Sequence, residues 1–227
     1  MPLPVLSAFL RLGSKYDIQK LNIQARKKLF QNFPSTLAAD DASDTHFDGI
    51  EKPKADPYIE LLLIARSAGL LSIIPRVLYE CCEKYSASQI QNGFSINGTT
   101  VRLSLDEQVT LFAGHRAMRD ALADTTYKWL HKYKTEVANG NCTEPASCHT
   151  ICPNVYFDMF TSKWAPAGLD TWEWPSEMLT GELCEHCAAA APIKHAAGRE
   201  QFWEQLPGFF DLPPWDELLK EREECEF

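Results

Sequence analysis

Apolar residues recur at spacings of three and four through most of the chain, the repeat of an amphipathic helix rather than of a strand. Ile18, Leu21, Ala25 and Leu29 share one such face, while Gln19, Lys20, Arg26 and Lys27 occupy the other. Asn32-Phe33-Pro34-Ser35 ends this helix, because proline disfavours helical geometry in the residue before it. Ala38 to Asp56 is polar, acidic and aperiodic, which predicts a long surface loop and the most mobile segment of the first half. Asp56 as N-cap, Pro57 at the first position and Gly69 as the stop frame the next helix. Leu70 to Tyr85 follows as another, with Pro75 in its early turns and Cys81 and Cys82 in its later ones.

The interval Ser86 to Ser104 is rich in turn residues, and Ser95 to Val101 predicts a small hairpin around Asn97-Gly98. Ser104 and Glu107 have the spacing of a capping box. They open a long helix along which Val109, Phe112, Arg116, Ala117 and Leu122 lie; Tyr127, Trp129, Leu130 and Tyr133 continue the apolar content, and Gly140 ends the helical half. After about Asn139 the Cys, Trp and Pro content rises. Leu206 to Trp215 is an apolar, proline-stiffened strap expected to fold back on the helices, followed by a short helix from Asp216 to Arg222. The expected fold is mainly α: an irregular multi-helix array with at most a small hairpin near residues 95–102. Its expected division is a helical part over residues 1–138 and a Cys/Trp-rich module over 139–227.

Charge narrows the function classes. With 227 residues, a net charge of -9 and a pI near 5.2, the chain lacks the clustered Lys and Arg that bind nucleic acid phosphates. The acidic end, Asp216 to Phe227, reads first as a solvated helix face. Leu3 to Leu10 is apolar but has no basic leader and no small-residue cleavage site, and no stretch reaches the ~20 apolar residues of a membrane span. An intracellular protein, cytoplasmic or nuclear, is therefore expected. In that compartment the glycosylation sequons at Asn97 and Asn141 carry no weight.

Eight cysteines in a reducing compartment do not predict a disulfide framework. Cys184-Glu185-His186-Cys187 has the C-x-x-C spacing of a metal knuckle, and Cys142 and Cys148 supply a second pair five residues apart. Structural zinc takes four such ligands, two from each of two short segments. Cys142, Cys148, Cys184 and Cys187 are thus candidate ligands of a structural zinc ion. Cys152, His149, His186 and His195 are substitutes for one of them, and unliganded thiols in a Trp-rich core are the alternative. A redox pair at Cys184 and Cys187 would want a βαβ surround that the chain lacks. No G-x-S-x-G, Walker A, G-x-G-x-x-G or H-E-x-x-H motif is present, and His115 and His131 read as surface or satisfied core residues rather than bases. The expectation is a chain without catalytic residues or an organic cofactor. A thiol enzyme using Cys184 or Cys187 and a transcription-associated regulator are the alternatives.

Several stretches resemble the BTB/POZ-domain proteins expanded in mushroom-forming fungi, in the region that follows the BTB fold. The resemblance is carried by Lys15 to Ile18, Asn32 to Leu37, Ile64-Ala65-Arg66, Gly69 to Pro75 and Tyr79 to Cys82. It continues through Cys142, Cys148, Leu183 to Cys187, His195, Gly198-Arg199, Phe202-Trp203, Leu206-Pro207 and Leu212 to Trp215. It implies the closing helices of a BTB domain, then BACK-like extension helices, with the BTB fold itself lying before Val5. It also implies a non-enzymatic scaffold for protein partners, adaptor-like as in the family's cullin-ligase members. On that view the apolar face of Val5, Phe9, Leu10 and Leu12 is a candidate partner surface.

Overall fold

The computed structural model describes all residues except Asp44, Lys54, Asn97, 132–140, 162–165, Thr180, Glu224, Glu226 and Phe227, and the side chain of Trp174. The fold is mainly helical. Its hairpin pairs Phe94–Ile96 with Thr99–Val101, and the turn residue Asn97 lies outside the described residues. No described helix is long and apolar enough to cross a membrane. The chain divides into two compact units: Met1–His115 with Leu206–Phe227, and Arg116–Gln205. The change of composition near Asn139 therefore falls inside the second unit, and the chain rejoins the first at Leu206, where the proline-stiffened strap begins.

In the first unit the Leu3–Lys15 helix packs on the Gln19–Asn32 helix. Leu3, Leu6 and Leu10 are fully buried against it, together with Ala25 and Leu29. Of the expected partner surface, Leu10 is thus core and Phe9 half-buried, while Val5 and Leu12 remain 39% and 44% exposed. Gly13 permits the close crossing, since a Cβ there would stand 2.8 Å from the Asn22 backbone nitrogen. Ile18 lies outside the core at 44% exposure, and the helix it was expected to open ends at Asn32 as Pro34 requires.

Residues 38–56 depart from the expected loop. A short helix, Leu37–Asp41, is capped by the Thr36 hydroxyl, which accepts the Ala39 N–H. Phe47 and Ile50 are buried, and Met1 and Glu51 bond across a parallel bridge. A buried charge network anchors the segment. Arg76 donates to Asp40 at 3.0 Å and to Glu80 at 2.7 Å, while His46 pairs with Asp40 at 3.1 Å and stacks on Phe33. Low periodicity concealed this because the anchoring groups are single polar residues, each satisfied by a distant partner.

The Pro57–Ala68 helix has its expected bounds, although Asp56 caps it without a side-chain bond, from a left-handed backbone at φ 46°. Gly69, also left-handed at φ 66°, turns the chain so that the Leu70 N–H reaches the Ala65 carbonyl. Leu71–Ile73 forms a 3-10 turn that continues into the Ile74–Lys84 helix, where Cys81 and Cys82 are buried. A short helix, Ala87–Asn92, with a capping box of Ser86 and Gln89, stands inside the interval read as turns. Ser104 and Glu107 form the expected capping box. The helix they open, Leu105–Ala121, ends one residue before Leu122, the last residue expected along it, and the apolar content continues in a separate helix at Lys128–His131. Tyr133 and Gly140 lie outside the described residues.

The Leu206–Trp215 strap returns to the first unit, where the ring of Phe210 fills the space that a side chain at Gly114 would need. Beyond it, the acidic end serves as more than a solvated face. The Glu221 carboxylate accepts the N–H groups of Leu71 and Ser72 at 2.9 and 2.6 Å, capping the start of the Leu71–Lys84 helical run. Its neighbour Arg222 donates to the Phe30 and Phe33 carbonyls at the other helix's C-terminal end, and to the Ser72 hydroxyl. Burial draws this guanidinium down to about 10. The expected final helix is two short ones, Trp215–Leu218 and Lys220–Glu223, and the second supplies an anion to a helix start and a cation to a helix end, each the favourable sign for that dipole. Glu221→Ala is expected to cost about 1–2 kcal/mol, as for a lost N-cap. Amide exchange at Leu71 and Ser72 should quicken, with Glu221→Gln intermediate; unchanged exchange at both amides would contradict the capping role.

Candidate metal centre

The second unit is built around the Pro145–Thr161 and Glu185–Gln205 helices, with Lys128–His131 and Glu173–Leu179 beside them. Gly198 lets the Glu185–Gln205 helix approach the backbone of residues 125–126, because a Cβ would lie 2.5 Å from the Thr125 carbonyl oxygen. Arg199 and Thr126 donate to the carbonyls of Leu169 and Gly168, tying the intervening segment to the core.

These two helices begin at the same place. Cys148 is in the first turn of Pro145–Thr161, and Cys142 lies in the non-helical segment just before it. Cys184 immediately precedes Glu185–Gln205, its carbonyl accepting the Ala188 N–H, and Cys187 is in that helix's first turn. The four sulfurs all lie within 4.8 Å of one another. Cys142 Sγ and Cys184 Sγ are 3.9 Å apart, and the Cys184 N–H points at Cys148 Sγ from 3.3 Å. Cys148 and Cys187 are fully buried, Cys184 nearly so, and Cys142 half-buried. None of the four is in a disulfide.

The arrangement suits a metal ion. With Zn–S bonds of about 2.3 Å, the sulfur–sulfur edge of a tetrahedral site is about 3.8 Å, so the observed spacings need only a small contraction. Electrostatics favour the ionised ligands, since two helix N-termini direct their partial positive charge at the cluster. A hydrogen bond from the Thr143 hydroxyl, and then the N–H of Cys187, hold the Cys184 thiol down at about 5. Cys152, one turn beyond Cys148, goes the other way: burial, then the charges of Cys148 and Cys142, push it up to about 12.

The substitutes named from sequence are placed elsewhere. Cys152 is outside the converging four, as are His149 and His186. His195 is buried among Tyr127, Trp129 and Trp172, with its Nε2 bonded to the Asp170 carbonyl at 2.8 Å. Burial, reinforced by the nearby Arg199 charge, lowers its imidazole to about 4, so it is neutral at pH 7. His131 is bonded to the Ala123 carbonyl at 2.9 Å. Trp164, part of the Trp-rich composition, lies outside the described residues.

No family model, curated protein or solved structure matches the chain.

Proposed function

We propose that the chain is a non-enzymatic, helical protein-interaction module whose Arg116–Gln205 unit is pinned by one structural zinc ion on Cys142, Cys148, Cys184 and Cys187. The convergence of these four sulfurs at two helix starts carries the proposal. A four-thiolate set fills every position of a tetrahedral ion and leaves none for a water or substrate, which is the structural rather than the catalytic pattern. Zinc, redox-inert and without a geometric demand of its own, suits an ion whose work is to hold two helices together. The resemblance to the helical region of BTB proteins supports the interaction role, as does the apolar row Leu105, Val109 and Phe112, all exposed on one helix.

Elemental analysis of the purified chain should find one zinc per molecule. Cobalt substituted for it should show the thiolate charge-transfer and ligand-field bands of a tetrahedral sulfur site. A strong chelator should lower the thermal midpoint of the second unit, because metal binding and folding are linked. An unchanged melt together with absent zinc would sink the metal assignment. Fast alkylation of Cys184 or Cys187 in metal-loaded protein would instead mark a thiol enzyme.

A further inference from the structure

We propose that Cys142 is the site at which a hydroperoxide oxidises this protein, closing a Cys142–Cys184 disulfide and expelling the metal; this rests on the metal assignment above. Three observations single out that pair. Cys142 is the half-buried member of the cluster, while Cys148 and Cys187 are sealed at 0% exposure, so a small oxidant in solution meets Cys142 first. Cys142 Sγ and Cys184 Sγ stand 3.9 Å apart. Closing them to a disulfide bond takes a relative movement of about 2 Å. That movement is open to them because both precede their helices, whereas Cys148 and Cys187 are held inside helical first turns.

The chemistry balances without a further reagent. The Cys142 thiolate attacks one peroxide oxygen, the O–O bond breaks, and a sulfenic acid forms while the departing hydroxide takes a proton to become water. The Cys184 thiolate then attacks the Cys142 sulfur and the S–O bond breaks, releasing a second hydroxide that is likewise protonated. Two thiolates have lost two electrons and the peroxide has gained them. The metal, left with two of its four ligands, passes to solution.

The test uses the full chain loaded with zinc and treated with hydrogen peroxide. A chromogenic chelator reads released metal, and peptide mapping after alkylation reads the first disulfide. One zinc released per Cys142–Cys184 disulfide is the expected result. A different first disulfide, release accompanied only by sulfinic or sulfonic cysteine, or retention of zinc in large peroxide excess would each overturn the proposal. Cys142→His, which keeps four donors but cannot form the disulfide, should release zinc roughly tenfold more slowly or less. Release at the parent rate from the loaded variant would also overturn it. Failure of the metal assignment is separately visible, as a chain that takes up no zinc before peroxide is added. Disulfide mapping of that chain still decides whether Cys142 pairs first with Cys184.

Discussion

Cys187→Ser is expected to strip the metal from the Arg116–Gln205 unit and to lower that unit's stability by more than about 4 kcal/mol. Cys187 is fully buried in the first turn of the Glu185–Gln205 helix. A serine there offers a hydroxyl that does not ionise at neutral pH, so three thiolates would face an incomplete ligand set. The loss would be large because the proposed ion would join segments that local sequence does not join: Cys142 and Cys184 are 42 residues apart. Without an ion, no covalent bond would link the starts of the two helices, because none of the four cysteines is in a disulfide. Zinc content, thermal melting and amide exchange in the Pro145–Thr161 and Glu185–Gln205 helices should change together. Cys225→Ser, in the other unit, should leave zinc content alone. Parent-like zinc content and exchange in Cys187→Ser would remove Cys187 from the ligand set.

Arg76→Ala should destabilise the first unit by about 3–5 kcal/mol, the usual cost of breaking a buried ion pair from one side. Arg76, Asp40 and Glu80 are each at most 8% exposed. Burial by itself raises the Asp40 carboxyl, but the His46 hydrogen bond and the Arg76 charge outweigh it and hold the group below its ordinary value. Glu80 is likewise raised by burial, then held below its ordinary value by the charges of Arg76 and Lys84. In the parent chain these depressed carboxyls contribute stability that is fully present above their unfolded values of about 4, and lost as pH falls through the lower folded values. Removing Arg76 leaves the burial effect less opposed, so the folded carboxyl values rise. The variant's deficit is then greatest near pH 7 and shrinks as the solution is acidified toward pH 4. Denaturant midpoints across that range, with amide exchange over residues 38–56, measure it. A deficit below about 1 kcal/mol at pH 7, or one that grows on acidification, would show that the network does not hold the segment.

The helix boundaries that sequence revealed are those written in a few adjacent residues. Pro57 with Gly69, the Asn32–Pro34 stop and the Ser104–Glu107 capping box each act within one turn of chain, and each stands where it was expected. The Glu185–Gln205 helix was less legible because Pro192 lies inside it, a residue that ordinarily signals a break. The break after the Leu105–Ala121 helix was less legible for the opposite reason. The apolar spacing persists, but the chain turns at 122–127, where Thr125 and Thr126 are buried under Gly198.

The candidate site was legible as a stock of ligands. C-x-x-C spacing marked Cys184 and Cys187, and the nearby pair Cys142 and Cys148 was the simplest complement. Four other residues offered themselves on equal local terms or nearly so, including Cys152 only four positions from Cys148. Packing decided among them, because the direction of a side chain from a helix depends on how that helix is rotated against its neighbour. The same holds for Glu221 and Arg222, which composition alone places on a solvated acidic face.

The sequence by itself determined that this chain is helical, where several helices start and stop, and that it carries the soft ligands of a metal site. Those properties arise from steric and hydrogen-bonding effects that reach a few residues along the backbone. Only the tertiary structure decided which four sulfurs converge, that residues 38–56 are anchored by a buried ion network, and that the last helix caps two others. Each of these depends on groups brought together across 36 to 192 residues of chain, and no local pattern encodes that distance.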